Sequence, residues 1–355
     1  PYYWKVDPKG NQLPYIDRLN YTVFQDVPAM LLKATNGEID MQMRHFNTLD
    51  NKAVLFDNQA KGGYTIFDLT DAANNKVIIH FNLTHKDKDL RAIFQNKDFR
   101  IGMSYAINRK EIIDTVFVGQ GKPHQAAPLE GTPFYNKQLA TQYLEYDVAK
   151  ANEYLDKAGL KKGADGMRTR PDGKPLTIVL EIANANVSEV DTGNMLAKYW
   201  KAVGVQVEAK AEDRTLLYNR KDANDLDAML WAGDGGVNPM MDMRAYFPYS
   251  GESSFAMAWQ MWYNGSTSAI AEEPPAAVKE IMALFDKVKS TAGFDNQVKV
   301  MQELLQKSAD YFFCIGIMTP PDQFGIMKTN FKNMPKRSIM AWPYPSPAPL
   351  NTPIF

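Results

Sequence analysis

The chain has 355 residues, 45% apolar and 23% charged, the composition of a soluble globular protein too long for one ordinary core and long enough for two lobes. A net charge of −1 supplies no global basic field for nucleic acid or an anionic membrane. No apolar run approaches the roughly 20 residues that span a bilayer. Cys314 is the single cysteine, which excludes an intramolecular disulfide and fits either the cytosol or an export compartment where folding avoids cysteine.

The chain opens on Pro1-Tyr2-Tyr3-Trp4, four residues that favour burial, with no initiator Met. A fragment or processed chain is expected, with any targeting segment upstream. Alternating β-branched and aromatic residues predict a strand over 16–24. Asp26 and Pro28 open a short helix that Asn36-Gly37 ends. Strands are expected from Glu38 and over 77–81. The run Lys86-Asp87-Lys88-Asp89 reads as a solvated loop.

Asp98 is expected to cap a helix carrying Phe99, Met103, Ala106 and Ile107. Asn108 to Glu111 has capping-box spacing ahead of Ile112, Ile113, Val116 and Phe117, and Gly119 closes that helix. Asp147 caps another helix that ends at Gly159. Leu176, Ile178, Leu180 and Ile182 alternate as a half-buried strand. A helix over 190–203 ends at Gly204, and Val205, Val207 and Ala209 alternate again. A short helix near Leu216 precedes a strand over 226–231. Two amphipathic helices, about 276–290 and 295–310, lead to a buried strand over 312–318. The Pro-rich tail from Trp342 to Phe355 is expected to wrap over a lobe without regular structure.

The 226–231 strand carries the strongest candidate site. It ends in Trp231 and runs into Ala232-Gly233-Asp234-Gly235-Gly236 at a strand's C-terminal end, where ligands gather in open α/β sheets. Trp231 offers a face for stacking, Asp234 offers a charge, and the glycines allow close approach of backbone to a ligand. The competing reading is a tight turn with Trp231 in the core. Trp259 and Trp262, three residues apart, either share a helical face in the core or stack on a sugar or apolar side chain.

Little else asks for chemistry. His45, His80, His85 and His124 lack metal-ligand spacing, and no G-x-S-x-G occurs. Gly119-Gln120-Gly121-Lys122-Pro123 lacks the spacing of a phosphate-binding loop. Cys314, between Phe313 and Ile315, reads as a buried inert thiol. No metal, cofactor or catalytic residue is expected.

Several stretches, in order, carry a resemblance: Asn36-Gly37-Glu38-Ile39-Asp40; Asp98-Phe99-Arg100 through Ile113; Asp147 to Gly159; the strand at Leu176; Ala202-Val203-Gly204-Val205; and Trp231-Ala232-Gly233-Asp234 with Pro239. Together they resemble the family 5 extracellular solute-binding proteins, receptors of ATP-binding-cassette importers for oligopeptides, dipeptides, nickel, opines and some oligosaccharides. The openings Pro1 to Asp7 and Gly10 to Asp17 resemble a subgroup that includes oligosaccharide binders as well as peptide binders.

The resemblance implies an α/β, two-lobed periplasmic-binding-protein architecture, class II-like, with an incomplete first lobe. Residues 1–81 and 312–355 are expected to form lobe I and 82–311 lobe II, with hinges near Phe81 and Phe312 and the ligand between closing lobes. It implies a periplasmic receptor that captures an oligopeptide and passes it to membrane permease subunits. The expected protein is a monomer without nucleic-acid partner or cofactor. In peptide-binding members the aspartate matched by Asp234 holds the ligand's ammonium group. The cation such members often place before the Trp is absent from Asp227-Ala228-Met229-Leu230. An oligosaccharide would instead use Asp234 for hydroxyls and Trp231, Trp259 or Trp262 for stacking. A cleft hydrolase is the alternative from a different class.

Overall fold

The computed structural model describes residues 4–332 and 337–341. Its strands are β1 (Met41–Gln42), β2 (Tyr64–Asp71), β3 (Ile78–Phe81), β4 (Thr177–Ala183), β5 (Gln206–Glu212), β6 (Ala228–Trp231), β7 (Ile315–Gly316), β8 (Gln323–Lys328) and β9 (Arg337–Met340). The chain divides into two compact units: the described parts of Pro1–Ala72 and Pro321–Phe355, and Ala73–Pro320. The boundaries expected at 81/82 and 311/312 fall inside the second unit, and Phe81 and Phe312 both lie in its core.

The first unit holds a sheet in the order β1-β8-β2-β9, with β8 antiparallel to β1 and β2, and β9 parallel to β2. Its small core gathers Phe46, Leu55, Tyr64 and Ile326, and the Tyr64 hydroxyl donates to the Leu55 carbonyl at 2.7 Å. The helix Val27–Thr35 is capped as expected, Asp26 accepting from the Ala29 N–H. No strand forms over 16–24, where Tyr21 and Val23 are exposed; alternation there has no partner ladder to pair with.

The second unit holds a five-stranded sheet in the order β5-β4-β6-β3-β7. β4 runs parallel to β5 and β6, while β3 is antiparallel to β6 and β7. Ile178, Leu180 and Ile182 of β4 enter the main core. The other face is covered too, with Glu181 fully buried, so β4 is buried on both sides rather than half-buried. The helix after β4, Val187–Ala202, starts earlier than its apolar periodicity indicated and stops at Gly204, whose φ of 87° is a left-handed value. Trp200 on this helix packs in the core and donates its indole N–H to the Met103 carbonyl at 3.0 Å.

Local capping follows the sequence with two shifts. Asn108 accepts from the Glu111 N–H, and Asp147 from the Lys150 N–H, as the spacing predicts. Asp98 is not the cap of its helix: Asn96 accepts from the Asp98 N–H, and Asp98 lies in the first turn, where its charge favours the helix dipole. The run 86–89 is not all loop either, since Lys88 and Asp89 begin the helix Lys88–Gln95 that Asp87 caps. Asp87 also pairs with Arg170 at 2.9 Å. The expected 312–318 strand shrinks to β7, because Phe312 takes a left-handed φ of 59° as it ends the helix Phe294–Tyr311. The tail from 342 lies outside the described residues.

Two buried arginines bind main-chain oxygens. Arg100 donates to the carbonyls of Phe94, Tyr311 and Phe312. Arg109 donates to those of Ser104, Leu144 and Gly316 and to the Ser104 hydroxyl. Each fills helix-end and strand acceptors that burial would otherwise leave without partners.

Candidate functional site

β6 lies at the centre of the second unit's sheet, and Trp231 is its last residue, opposite Ile78 of β3. Because β4, β5 and β6 are parallel, their C-terminal ends form one rim, joined by the N-terminal end of antiparallel β3. Trp231 and Ala232 are half-buried at this rim. The Tyr218 ring meets Trp231 edge-on at 5.4 Å, and the Arg214 guanidinium lies 5.1 Å from the centroid of each ring. This is a cation–π arrangement, so one aromatic surface of Trp231 already carries a cation.

The glycines that follow approach protein rather than open space. A methyl group at Gly233 would sit 1.7 Å from the Asn74 side-chain oxygen, and one at Gly236 2.4 Å from the Ala73 carbonyl. Gly235 has a φ of 69°, and a methyl there would lie 2.2 Å from the Asp242 carbonyl. The loop is therefore folded tightly onto 73–74 and 242. The Gly233 N–H donates to the Asn75 carbonyl at 3.0 Å, and the Tyr246 hydroxyl to the Gly235 carbonyl at 3.1 Å.

Asp234 is 6% exposed. Its carboxylate accepts from the Gly235 N–H at 2.8 Å and lies within the field of Arg244. Arg244 itself is held by Asp242, its Nε donating at 2.7 Å. Beneath them Glu252 accepts from the Tyr218 hydroxyl at 3.1 Å and lies 3.6 Å from Lys221 and 3.7 Å from Arg244. His80, facing this cluster from β3, has neither ring nitrogen hydrogen-bonded among the described residues. Burial, with the charges of Arg244 and Lys221, pushes its pKa down to about 3, so the ring stays neutral.

The two later tryptophans part company on the helix Met257–Tyr263. Trp259 is 1% exposed in the main core, its indole N–H without a partner among the described residues, and has no face to offer in this arrangement. Trp262 is 40% exposed. Neither is among the ring contacts of Trp231. Arg214 and Tyr218 escaped the sequence reading; their spacing of four on the short helix after β5 was the available signal, and only the parallel register brings them to Trp231.

Cys314 is buried, and burial pushes its thiol up to about 12. Among the described residues no cluster of His, Cys, Asp or Glu is placed to hold a metal ion, and no helix is long and apolar enough to cross a membrane.

The chain is 27% identical over 247 residues to the periplasmic alpha-galactoside-binding protein of Rhizobium meliloti, covering 66% of this chain and 34% of that protein. It is 26% identical over 225 residues to the oligopeptide-binding protein AppA of Bacillus subtilis, covering 61% and 38%. The chain thus spans between a third and two fifths of these curated relatives. Among solved structures, an oligopeptide-binding protein OppA superposes with a TM-score of 0.72 at 33% identity, covering 99% of this chain and 58% of that one. The periplasmic binding protein MelB of Agrobacterium fabrum C58, solved with stachyose, shares the fold at a TM-score of 0.71 and 19% identity, covering 92% and 49%. Residues 1–255 match the family described as bacterial extracellular solute-binding proteins, family 5, middle region. The chain belongs to the family 5 bacterial extracellular solute-binding proteins, a family of receptors without catalytic function.

Proposed function

We propose that this chain captures a solute for an ATP-binding-cassette importer outside the cytoplasm, with Ala73–Pro320 as the ligand-binding lobe. The solute is an oligopeptide and is passed to membrane permease subunits without chemical change. The protein acts as a monomer, with no cofactor and no nucleic-acid partner. The observation that carries the reading is the rim at the end of β6, where Trp231 supplies an aromatic surface three residues before the carboxylate of Asp234. The 33% identity to an oligopeptide-binding protein across 99% of the chain supports a peptide.

A second reading, an oligosaccharide, is favoured by one specific feature. Asp234 already accepts from Gly235 and feels Arg244, which weakens its pull on a ligand ammonium group while leaving it able to accept from hydroxyls. Thermal stabilisation against short peptides and oligosaccharides tests both. A ligand in 100- to 1,000-fold excess over its Kd adds about 3–4 kcal/mol. Peptide binding abolished by Asp234→Asn supports the ammonium anchor; sugar binding weakened by Trp231→Ala replaces it with stacking on the aromatic face. Recovery of hydrolysed ligand after incubation overturns the receptor reading.

A further inference from the structure

The rim around Trp231 carries two cations that form no ion pair among the described residues. Arg214 is exposed, at the start of the helix Arg214–Asp222 that follows β5. Lys76 lies two residues before β3, and since Ile78 stands opposite Trp231, it enters the same rim. The ion pairs nearby engage Arg220, Lys221 and Arg244 instead, and among the described residues neither Arg214 nor Lys76 takes part in one.

The carboxylates around them are occupied or muted. Asp213, next to Arg214, turns its side chain onto the Thr215 and Leu216 N–H groups at 2.8 and 3.4 Å. Asp234 accepts from Gly235 and lies beside Arg244. Glu189, in the first turn of Val187–Ala202, is 4% exposed and takes the Asn186 side-chain N–H at 2.9 Å. Burial pushes its carboxyl above the usual range even though Lys76 and Arg214 draw it down, so its charge answers them incompletely. What remains is local positive charge over an aromatic surface.

We infer that Arg214, with Lys76, receives an anionic group of the captured molecule, a carboxylate, at the face of Trp231. This rests on the receptor reading above and narrows its ligand to one bearing an acid. A guanidinium suits the task because it stacks on an aromatic ring with its plane while its N–H fork takes a carboxylate in two parallel hydrogen bonds. Lys76 adds a point charge without a fixed geometry. The acid can come from a peptide C-terminus or from an acidic sugar, which share this chemistry.

Four probes distinguish the sources: trialanine, its C-terminal amide, trigalacturonate and the neutral tetrasaccharide stachyose, each titrated calorimetrically into the 355-residue protein. One charged probe is expected to bind at least about tenfold more tightly than its neutral counterpart, and to weaken several-fold between low and high salt. Trialanine over its amide points to a peptide; trigalacturonate over stachyose points to an acidic sugar. Arg214→Ala is expected to bring the charged-to-neutral ratio within about threefold of unity, while Arg214→Lys and Lys76→Gln each retain part of it. Equal binding of charged and neutral members of both pairs, or an unchanged ratio in Arg214→Ala, overturns the inference and leaves the receptor reading standing. Silence of all four probes counts against both.

Discussion

The side-chain oxygen of Asn75 accepts the backbone N–H of Met318 at 3.1 Å, tying the segment that enters the second unit to the one that leaves it. The same oxygen takes the N–H groups of Val77 at 3.2 Å and Ile317 at 3.1 Å, and the side-chain nitrogen donates to the His124 carbonyl at 2.8 Å. One buried carboxamide thus serves four main-chain groups from three segments. Asn75→Ala strands the Val77 and Met318 N–H groups and the His124 carbonyl in the interior, while the Ile317 N–H keeps the Val77 carbonyl, and a loss of about 3 kcal/mol is expected from unmade bonds of this kind. Urea unfolding monitored by circular dichroism measures it; a loss below about 1 kcal/mol shows that water or a local shift replaces the side chain.

His80 makes stability acid-sensitive. Its folded pKa of about 3 lies below the unfolded value of 6.5, so between these values the unfolded chain binds the extra proton. Stability therefore falls as pH drops through 6.5, and this one group costs about 2 kcal/mol between pH 7.5 and 5. The raised carboxyl of Glu189 works in the opposite sense over its own range, so the readout is the difference between wild type and His80→Leu. The variant is expected to lose less stability on acidification; parallel pH profiles refute the assignment.

Gly233 is required by Asn74 rather than by a ligand. Gly233→Ala places a methyl 1.7 Å from the Asn74 side-chain oxygen, and a loss above about 2 kcal/mol is expected from overpacking against the buried Asn74 and Ile78 side chains. Combining it with Asn74→Gly opens the space, so the double variant is expected to be more stable than the two single losses sum to. Simple additivity in a double-mutant cycle contradicts the contact.

Trp259 and Trp262 separate by their burial. Trp259→Ala is expected to cost about 3–5 kcal/mol as a core truncation, and Trp262→Ala less than about 0.5 kcal/mol. Thermal unfolding of both variants checks this. A Trp259→Ala protein of normal stability removes that residue from the core and restores its claim to a ligand.

What was legible in the sequence were the local devices. Asp26, Asn108 and Asp147 announce their helices because a cap needs only its own first turn, and the 276–290 helix is found where its apolar stripe falls. The strand misread over 16–24 failed for the complementary reason: alternation is local, but a strand exists only through its neighbours, and Val23 is 92% exposed. The site divides along the same line. Trp231 and Asp234 stand together in the sequence, whereas Arg214 meets Trp231 through strand register, and Lys76 and Glu189 through the fields they share. The glycines of 233–236 suggest close approach of backbone to a ligand, whereas their close neighbours are Ala73, Asn74 and Asp242, which nothing in the sequence shows.

The pairing of β3 with β7 has an architectural consequence. Ile78 stands opposite Gly316, and the Lys76 N–H reaches the Met318 carbonyl at 2.9 Å, so the two ends of Ala73–Pro320 emerge about one strand spacing apart. A segment whose ends leave side by side is a cassette. It can be excised as a free-standing piece, or joined end to end by a few residues and reopened at an outer loop, with its sheet order preserved.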